Sequence, residues 1–144
     1  MAILIFEGAD KSGKTSLREM IRRARNHEDV TLDRFFGSMI VYGKVFNKYT
    51  PEQMFDFEMK EKLFEANFKP VLIYCSTSMS VLKMRLLRHG HEEIPDKVLS
   101  DTLAEFNGYF KKTAYTLKIK IDTDEQTLEQ SVNAIVKYLK DVGV

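Results

Sequence analysis

The eight residues Gly8-Ala9-Asp10-Lys11-Ser12-Gly13-Lys14-Thr15 separate a continuous apolar run, Ala2-Ile3-Leu4-Ile5-Phe6, from a stretch of helical periodicity between about Lys14 and His27. Few folds accommodate that succession. An apolar run rich in β-formers suits a strand buried on both faces of a parallel sheet. The glycines let the backbone curl until successive N–H groups face one point, and the following helix aims its positive end at the same point. Glycine, four residues, glycine, lysine and then serine or threonine is the spacing of a phosphate-binding loop, and strand before with helix after is the context its chemistry requires. The expected nucleotide-binding set is Gly8, Asp10, Ser12, Gly13, Lys14, Thr15 and Ser16. In such a loop Lys14 reaches the β- and γ-phosphates, and the Thr15 hydroxyl ligates a magnesium ion that bridges them.

The rest of the chain reads as strands separated by helices. Leu17, Met20, Ile21 and Ala24 form the expected inner side of the first helix, opposite Arg18, Arg22 and Arg25. Val30-Thr31-Leu32-Asp33 is a short second strand. Thr50, Pro51 and Gln53 carry the signature of a helix start, and that helix runs to about Asn67 with Met54, Phe55, Met59, Leu63 and Phe64 as its apolar set. Val71–Cys75 is a third buried strand, after which Ser76-Thr77-Ser78 caps a helix that stops at Gly90. Pro95-Asp96 opens a helix with Val98, Leu99, Thr102, Leu103, Phe106, Tyr109 and Phe110 on one stripe. Leu117–Asp122 alternates like a strand near a sheet edge, and a last helix from about Glu125 to Leu139 turns Leu128, Val132, Ile135, Val136 and Leu139 inward. The pattern predicts an α/β fold, a three-layer α/β/α sandwich of the phosphate-loop NTPase type, with a reduced, mainly parallel sheet of about four strands and right-handed crossovers. No linker-like segment interrupts it, so residues 1–144 are expected to form a single domain.

Composition narrows the function classes. Twenty-two basic residues against 21 acidic ones give a net charge of +1, so no overall field holds the chain on nucleic acid or an anionic membrane. The single cysteine, Cys75, cannot close an intramolecular disulfide, and with seven methionines it fits a reducing compartment. No signal-peptide pattern and no run of about eighteen apolar residues occurs, so the expectation is a cytoplasmic protein with no membrane partner.

Three segments together resemble the thymidylate kinases and related deoxynucleoside and deoxynucleotide kinases, in a short, phage-type form. They are Glu7-Gly8-Ala9-Asp10-Lys11-Ser12-Gly13-Lys14-Thr15; Asp33-Arg34-Phe35 with Ser38 and Tyr42; and Val71–Cys75 with Val81, Arg85, Arg88 and Gly90. The resemblance implies ATP and Mg²⁺ as cofactors, a nucleotide donor, and a pyrimidine nucleotide or nucleoside as acceptor. It also implies roles. Asp33 would hold magnesium through water or orient the attacking oxygen; Arg34 would face the acceptor or the transferred phosphoryl group; Asp10 would meet the acceptor's sugar hydroxyl. Lys11 would neutralise the transferring phosphate, which makes Lys11, Lys14, Asp33 and Arg34 the catalytic set and Thr15 with Asp33 the metal set. The residues themselves leave other readings open: Asp33 as a helix cap, Arg34 in a solvent-facing ion pair, Lys11 as a solvated side chain.

Lys83, Arg85, Arg88, His89 and His91 form a basic cluster that suits a lid over the phosphates, or a solvated helix face. Arg85 and Arg88 are both candidates for donor binding. Their choice stays open in the sequence. Compared with the family, the chain lacks the segment between first helix and aspartate-arginine pair that grips an acceptor monophosphate. Phe35, Phe36, Tyr42, Phe46 and Tyr49 are candidates for a replacement base pocket, with part of them expected in the core. A site opened by that deletion motivates a second reading, a kinase that phosphorylates 5-hydroxymethyluracil in DNA, with Arg18, Arg22, Arg23 and Arg25 or Lys111, Lys112, Lys118 and Lys120 on the DNA backbone. A third is a nucleotide-binding regulatory module without transferase activity. The apolar helix from Thr50 also offers a homodimer surface of the kind related kinases use.

Overall fold

In the computed structural model, residues 1–90 and 94–144 are described. Four strands, β1 (Ile3–Glu7), β2 (Val30–Asp33), β3 (Val71–Ser76) and β4 (Leu117–Asp122), form one sheet in the order β2-β1-β3-β4. All three pairings are parallel, with Phe6 opposite Asp33 and Ile73. Among the described residues, six helices surround it: α1 (Lys14–Ala24), α2 (Phe36–Val45), α3 (Pro51–Phe68), α4 (Met79–Arg88), α5 (Asp96–Lys112) and α6 (Leu128–Asp141). Leu4, Phe6, Ile73 and Cys75 pack on one face with Leu17 and Ile21 of α1 and Ile135 and Leu139 of α6. Ile5, Leu72 and Tyr74 pack on the other with Ile40, Leu82, Leu99 and Phe106 from α2, α4 and α5. Burial on both faces explains the unbroken apolar runs of β1 and β3.

Because β2 lies on one side of β1 and β3 on the other, the carboxyl end of β1 stands at the point where the strand order switches, the place where open α/β sheets leave a crevice. The loop from Gly8 to Gly13 follows β1 directly into it. Among the described residues, no helix is long and apolar enough to cross a membrane.

Several local expectations shift. Helix α1 ends at Ala24 rather than His27, since Asn26 and His27 both adopt the left-handed region, and Met20 and Ala24 are exposed. Residues 36–45, left without an element by the pattern, form α2. Its apolar and small residues face several neighbours and give no stripe. In α3 the capping box at Thr50 and Gln53 is present, but Phe55, Met59 and Leu63 are exposed, while Met54, Phe57 and Phe64 turn toward the core. Glu61 of α3 is buried instead, accepting hydrogen bonds from Tyr109 (2.6 Å), Thr113 (2.7 Å) and the Ala114 amide (3.0 Å). Helix α6 starts at Leu128 behind a Thr127–Gln130 capping box, which leaves Leu128 exposed.

Candidate functional site

The loop after β1 is shaped by close approach. Gly8 has φ 147°, and a Cβ there would lie 2.5 Å from the Cys75 carbonyl oxygen, so no side chain fits between loop and β3. Gly13 is the N-cap of α1, and Lys14 opens the helix. Lys14 Nζ is buried and donates to the carbonyls of Gly8 and Ala9, each at 3.0 Å. Burial pushes its ammonium pKa down, against the opposing pull of Asp33, Cys75 and Glu7. The Ser12 hydroxyl is also buried, with no hydrogen-bond partner among the described residues.

Around the loop opens a polar cleft of about 420 Å³ lined by Asp10, Lys11, Gly13, Lys14, Thr15, Ser16, Asp33, Arg34, Arg85 and His89. The fold thus gathers β1's loop, the end of β2 and helix α4 around one space. Asp33 is exposed there. It does not cap α2, whose N-cap is Phe35 without a side-chain cap. Arg85 donates to the Lys11 carbonyl (3.1 Å) and to the Thr123 hydroxyl and carbonyl (3.3 and 3.2 Å), tying the loop to the turn after β4. Arg88 is exposed and does not line the cleft, and Lys83 pairs with Asp96 at 2.8 Å. Of the basic cluster, Arg85 and His89 therefore reach the cleft, while His91 lies outside the described residues.

Two further cavities adjoin this cleft. One, of about 290 Å³, shares Gly13, Ser16 and Arg85 with it and adds Leu17, Thr123, Gln126, Leu128 and Ser131. The other, of about 430 Å³, shares Asp10 and Arg34. Tyr42, Phe46, Tyr49, Leu82, Leu86, Val98 and Leu99 are among its apolar lining, and Ser38, Lys48 and Thr102 add polar groups. Phe35 and Phe36 do not join it, packing on Phe64 at ring distances of 4.9 and 6.5 Å. Arg34 stands at the rim between cleft and apolar cavity, paired with Asp10 and lying over the Tyr42 ring at 5.9 Å.

One participant was visible in the sequence only as the first letter of a motif. Glu7, at the end of β1, is fully buried, and its carboxyl oxygens accept from the Phe35 amide (2.6 Å) and the Ser38 hydroxyl (3.1 Å). Burial pushes its pKa up to about 7, against these hydrogen bonds and the Lys14 charge. The available signal was an acid placed directly after five apolar residues.

As to metal, the Thr15 hydroxyl and Asp33 carboxylate open onto the same cleft. Hard oxygen donors in small number suit Mg²⁺, which keeps several waters and takes other ligands from substrate phosphates. Among the described residues, no group of three or more acidic, histidine or cysteine side chains forms a metal cage.

No protein-family model matches the chain. The SPbeta prophage-derived protein YorR of Bacillus subtilis is 33% identical over 96 residues, covering 65% of this chain and 55% of YorR, little more than half of that relative. The structure of YorR in complex with phosphorylated GDP superposes with a TM-score of 0.75 at 21% identity, covering 99% of each chain. Deoxyadenosine kinase from M. mycoides with bound dATP gives 0.67 at 15% identity over 97% of this chain and 100% of that one. Thymidylate kinase from Candida albicans gives 0.62 at 11% identity over 98% and 92%. The chain shares the three-layer fold of these proteins.

Proposed function

We propose that this protein is a magnesium- and ATP-dependent phosphotransferase of thymidylate kinase-like type that acts on a pyrimidine deoxynucleoside or deoxynucleotide. The observation that carries the reading is the pair of adjoining spaces, a polar cleft and an apolar cavity of about 420 and 430 Å³, which meet at Asp10 and Arg34. Transfer between two bound nucleotides needs such a pair of sites, with cations at their junction. YorR was solved with phosphorylated GDP and deoxyadenosine kinase with dATP, which supports a nucleotide in the corresponding space here.

In this reading the loop amides and Lys14 hold the donor's phosphates, and the 290 Å³ cavity beside Thr123 and Gln126 takes its base. Thr15 and Asp33 hold Mg²⁺, which when bound offsets charge on the phosphates. The acceptor's base lies among Tyr42, Phe46 and Tyr49, with Asp10 on the sugar. Lys11, Arg34 and Arg85 offset the charge that develops as the acceptor oxygen bonds the γ-phosphorus and the bond to the β–γ bridging oxygen breaks. Arg34 and Lys48 are the only cations among the cavity's described lining residues, which favours a single nucleoside over a polymer. The arginine run on α1 is also partly spent on neighbours, as Arg22 pairs with Glu19 and Arg25 with Asp29.

The test is ADP release from Mg-ATP against the four deoxynucleoside monophosphates, thymidine, deoxyuridine derivatives, and DNA with or without 5-hydroxymethyluracil. Turnover with a free pyrimidine compound is expected. Turnover only with modified DNA would overturn the acceptor assignment, and nucleotide binding without transfer to any of them would leave a regulatory module.

A further inference from the structure

Arg34 is held in an unusual backbone conformation. Its φ is 63°, in the left-handed region where a branched or long side chain is disfavoured, and it immediately follows a regular strand. Two hydrogen bonds bracket it. Its own N–H donates to the Phe6 carbonyl at 3.0 Å, continuing the pairing of β2 with β1. The next N–H, that of Phe35, donates to the Glu7 carboxyl at 2.6 Å.

The second bond is a cap supplied across the sheet. Helix α2 begins after Phe35, which has no side chain able to satisfy the helix's first N–H groups, and no residue of the segment does so in its place. Glu7 fills that role from the neighbouring strand, and Ser38, in the first turn of α2, donates its hydroxyl to the same carboxyl. The fit is tight. A Cβ on Gly37 would stand 2.3 Å from Glu7 Oε2, so the helix reaches the carboxyl only because residue 37 has no side chain. The carboxyl is fully buried and Glu7 is not among the residues that line the cleft, so it serves the turn rather than a ligand.

We infer that Glu7 is a positioning residue: its carboxyl caps α2 from the end of β1 and thereby holds Arg34 in the conformation that carries the guanidinium to the rim between cleft and cavity. The inference deepens the proposed function and rests on it for the use made of Arg34. A cap needs an acceptor oxygen at the right reach, not a negative charge. Glu7→Gln keeps that oxygen in place, whereas Glu7→Asp keeps the charge and withdraws it by one methylene.

The experiment compares the three variants Glu7→Gln, Glu7→Asp and Glu7→Ala with the wild-type chain, alone and combined with Arg34→Ala. Turnover with the acceptor found active should stay within about threefold in Glu7→Gln and fall about 30-fold in Glu7→Asp and Glu7→Ala, with KM for ATP within about twofold in all. On the Arg34→Ala background, Glu7→Asp should cost no further turnover, because the two act as one unit. Losses that multiply, or a Glu7→Gln as impaired as Glu7→Ala, would overturn the positioning role, the latter pointing to a chemical role for the carboxylate. Amide hydrogen exchange of Phe35 gives a reading independent of turnover. Protection in wild type and Glu7→Gln, lost in Glu7→Asp, is expected; protection unchanged in Glu7→Asp would refute the cap. If the wild-type chain phosphorylates no acceptor, the proposed function falls while the exchange measurement still decides whether Glu7 holds the turn.

Discussion

The polar cleft and the apolar cavity are nearly equal in size and are built in opposite ways. Most of the cleft comes from one stretch of chain, residues 10, 11 and 13–16, with Asp33, Arg34, Arg85 and His89 closing it. The cavity collects residues from 9 to 102, out of the loop, α2, α4 and α5. A site made by adjacent backbone amides tolerates little change in its own segment but is indifferent to much of the remaining chain. A site made by side chains on separate helices depends on how those helices pack, and changes in it alter fit before they alter chemistry. The difference predicts that substitutions in the cleft act on turnover and substitutions in the cavity act on acceptor affinity.

The largest expected effect breaks the cleft. Lys14→Ala removes the charge at the phosphates and should lower turnover about 1000-fold or more with every acceptor, checked by ADP release. Equal residual turnover with and without acceptor in that variant would mean that only leakage to water remains.

Next is the junction beneath both sites. The Glu7 carboxyl has an ordinary pKa of 4.5 and is pushed up to about 7 by burial. An acid that holds its proton more tightly when folded stabilises the folded state fully below pH 4.5. That contribution is lost as pH rises through about 7, and at 1.36 kcal/mol per pH unit it amounts to about 3 kcal/mol. Denaturant unfolding from pH 4.5 to 8 should therefore show wild-type stability falling relative to Glu7→Gln. Parallel curves would show that the carboxyl is not so perturbed.

Smaller effects sharpen the contrast. Arg85→Ala, by freeing the loop from Thr123 and removing a charge at the transferred group, should lower turnover about tenfold, several times more than Arg88→Ala does, measured by steady-state kinetics. Phe46→Ala removes a ring stacked on Tyr42 at 6.1 Å and should raise acceptor KM about fivefold while KM for ATP holds. A Phe46→Ala effect on ATP rather than on acceptor would exchange the two sites' roles.

Legibility follows the same division. The loop, its strand and its helix could be read directly, since glycine spacing and apolar runs are local properties and their geometry follows from backbone sterics. The boundaries of β2 matched residue for residue, as did the capping box at Thr50. Helix α2 escaped because Gly37, Ser38 and Gly43 are buried in it beside Ile40 and Val41, so small residues interrupt the stripe that a helix normally shows. The apolar set of α3 shows the converse limit, since Phe55, Met59 and Leu63 are exposed while Met54 and Phe64 turn toward the core. Periodicity finds an apolar face but not whether anything covers it, and here the buried position went to Glu61.

What the amino-acid order determined by itself was therefore the α/β succession and a glycine-bounded loop between β1 and α1, both consequences of short-range torsional preference and burial pattern. Only the tertiary structure decided that Arg85 rather than Arg88 meets the loop, and that Tyr42, Phe46 and Tyr49 line a cavity while Phe35 and Phe36 pack on α3. It likewise decided that Glu7 reaches across to cap α2. Each of these depends on which side chain a packed neighbour leaves room for, and that information lies in contacts between residues far apart in the chain.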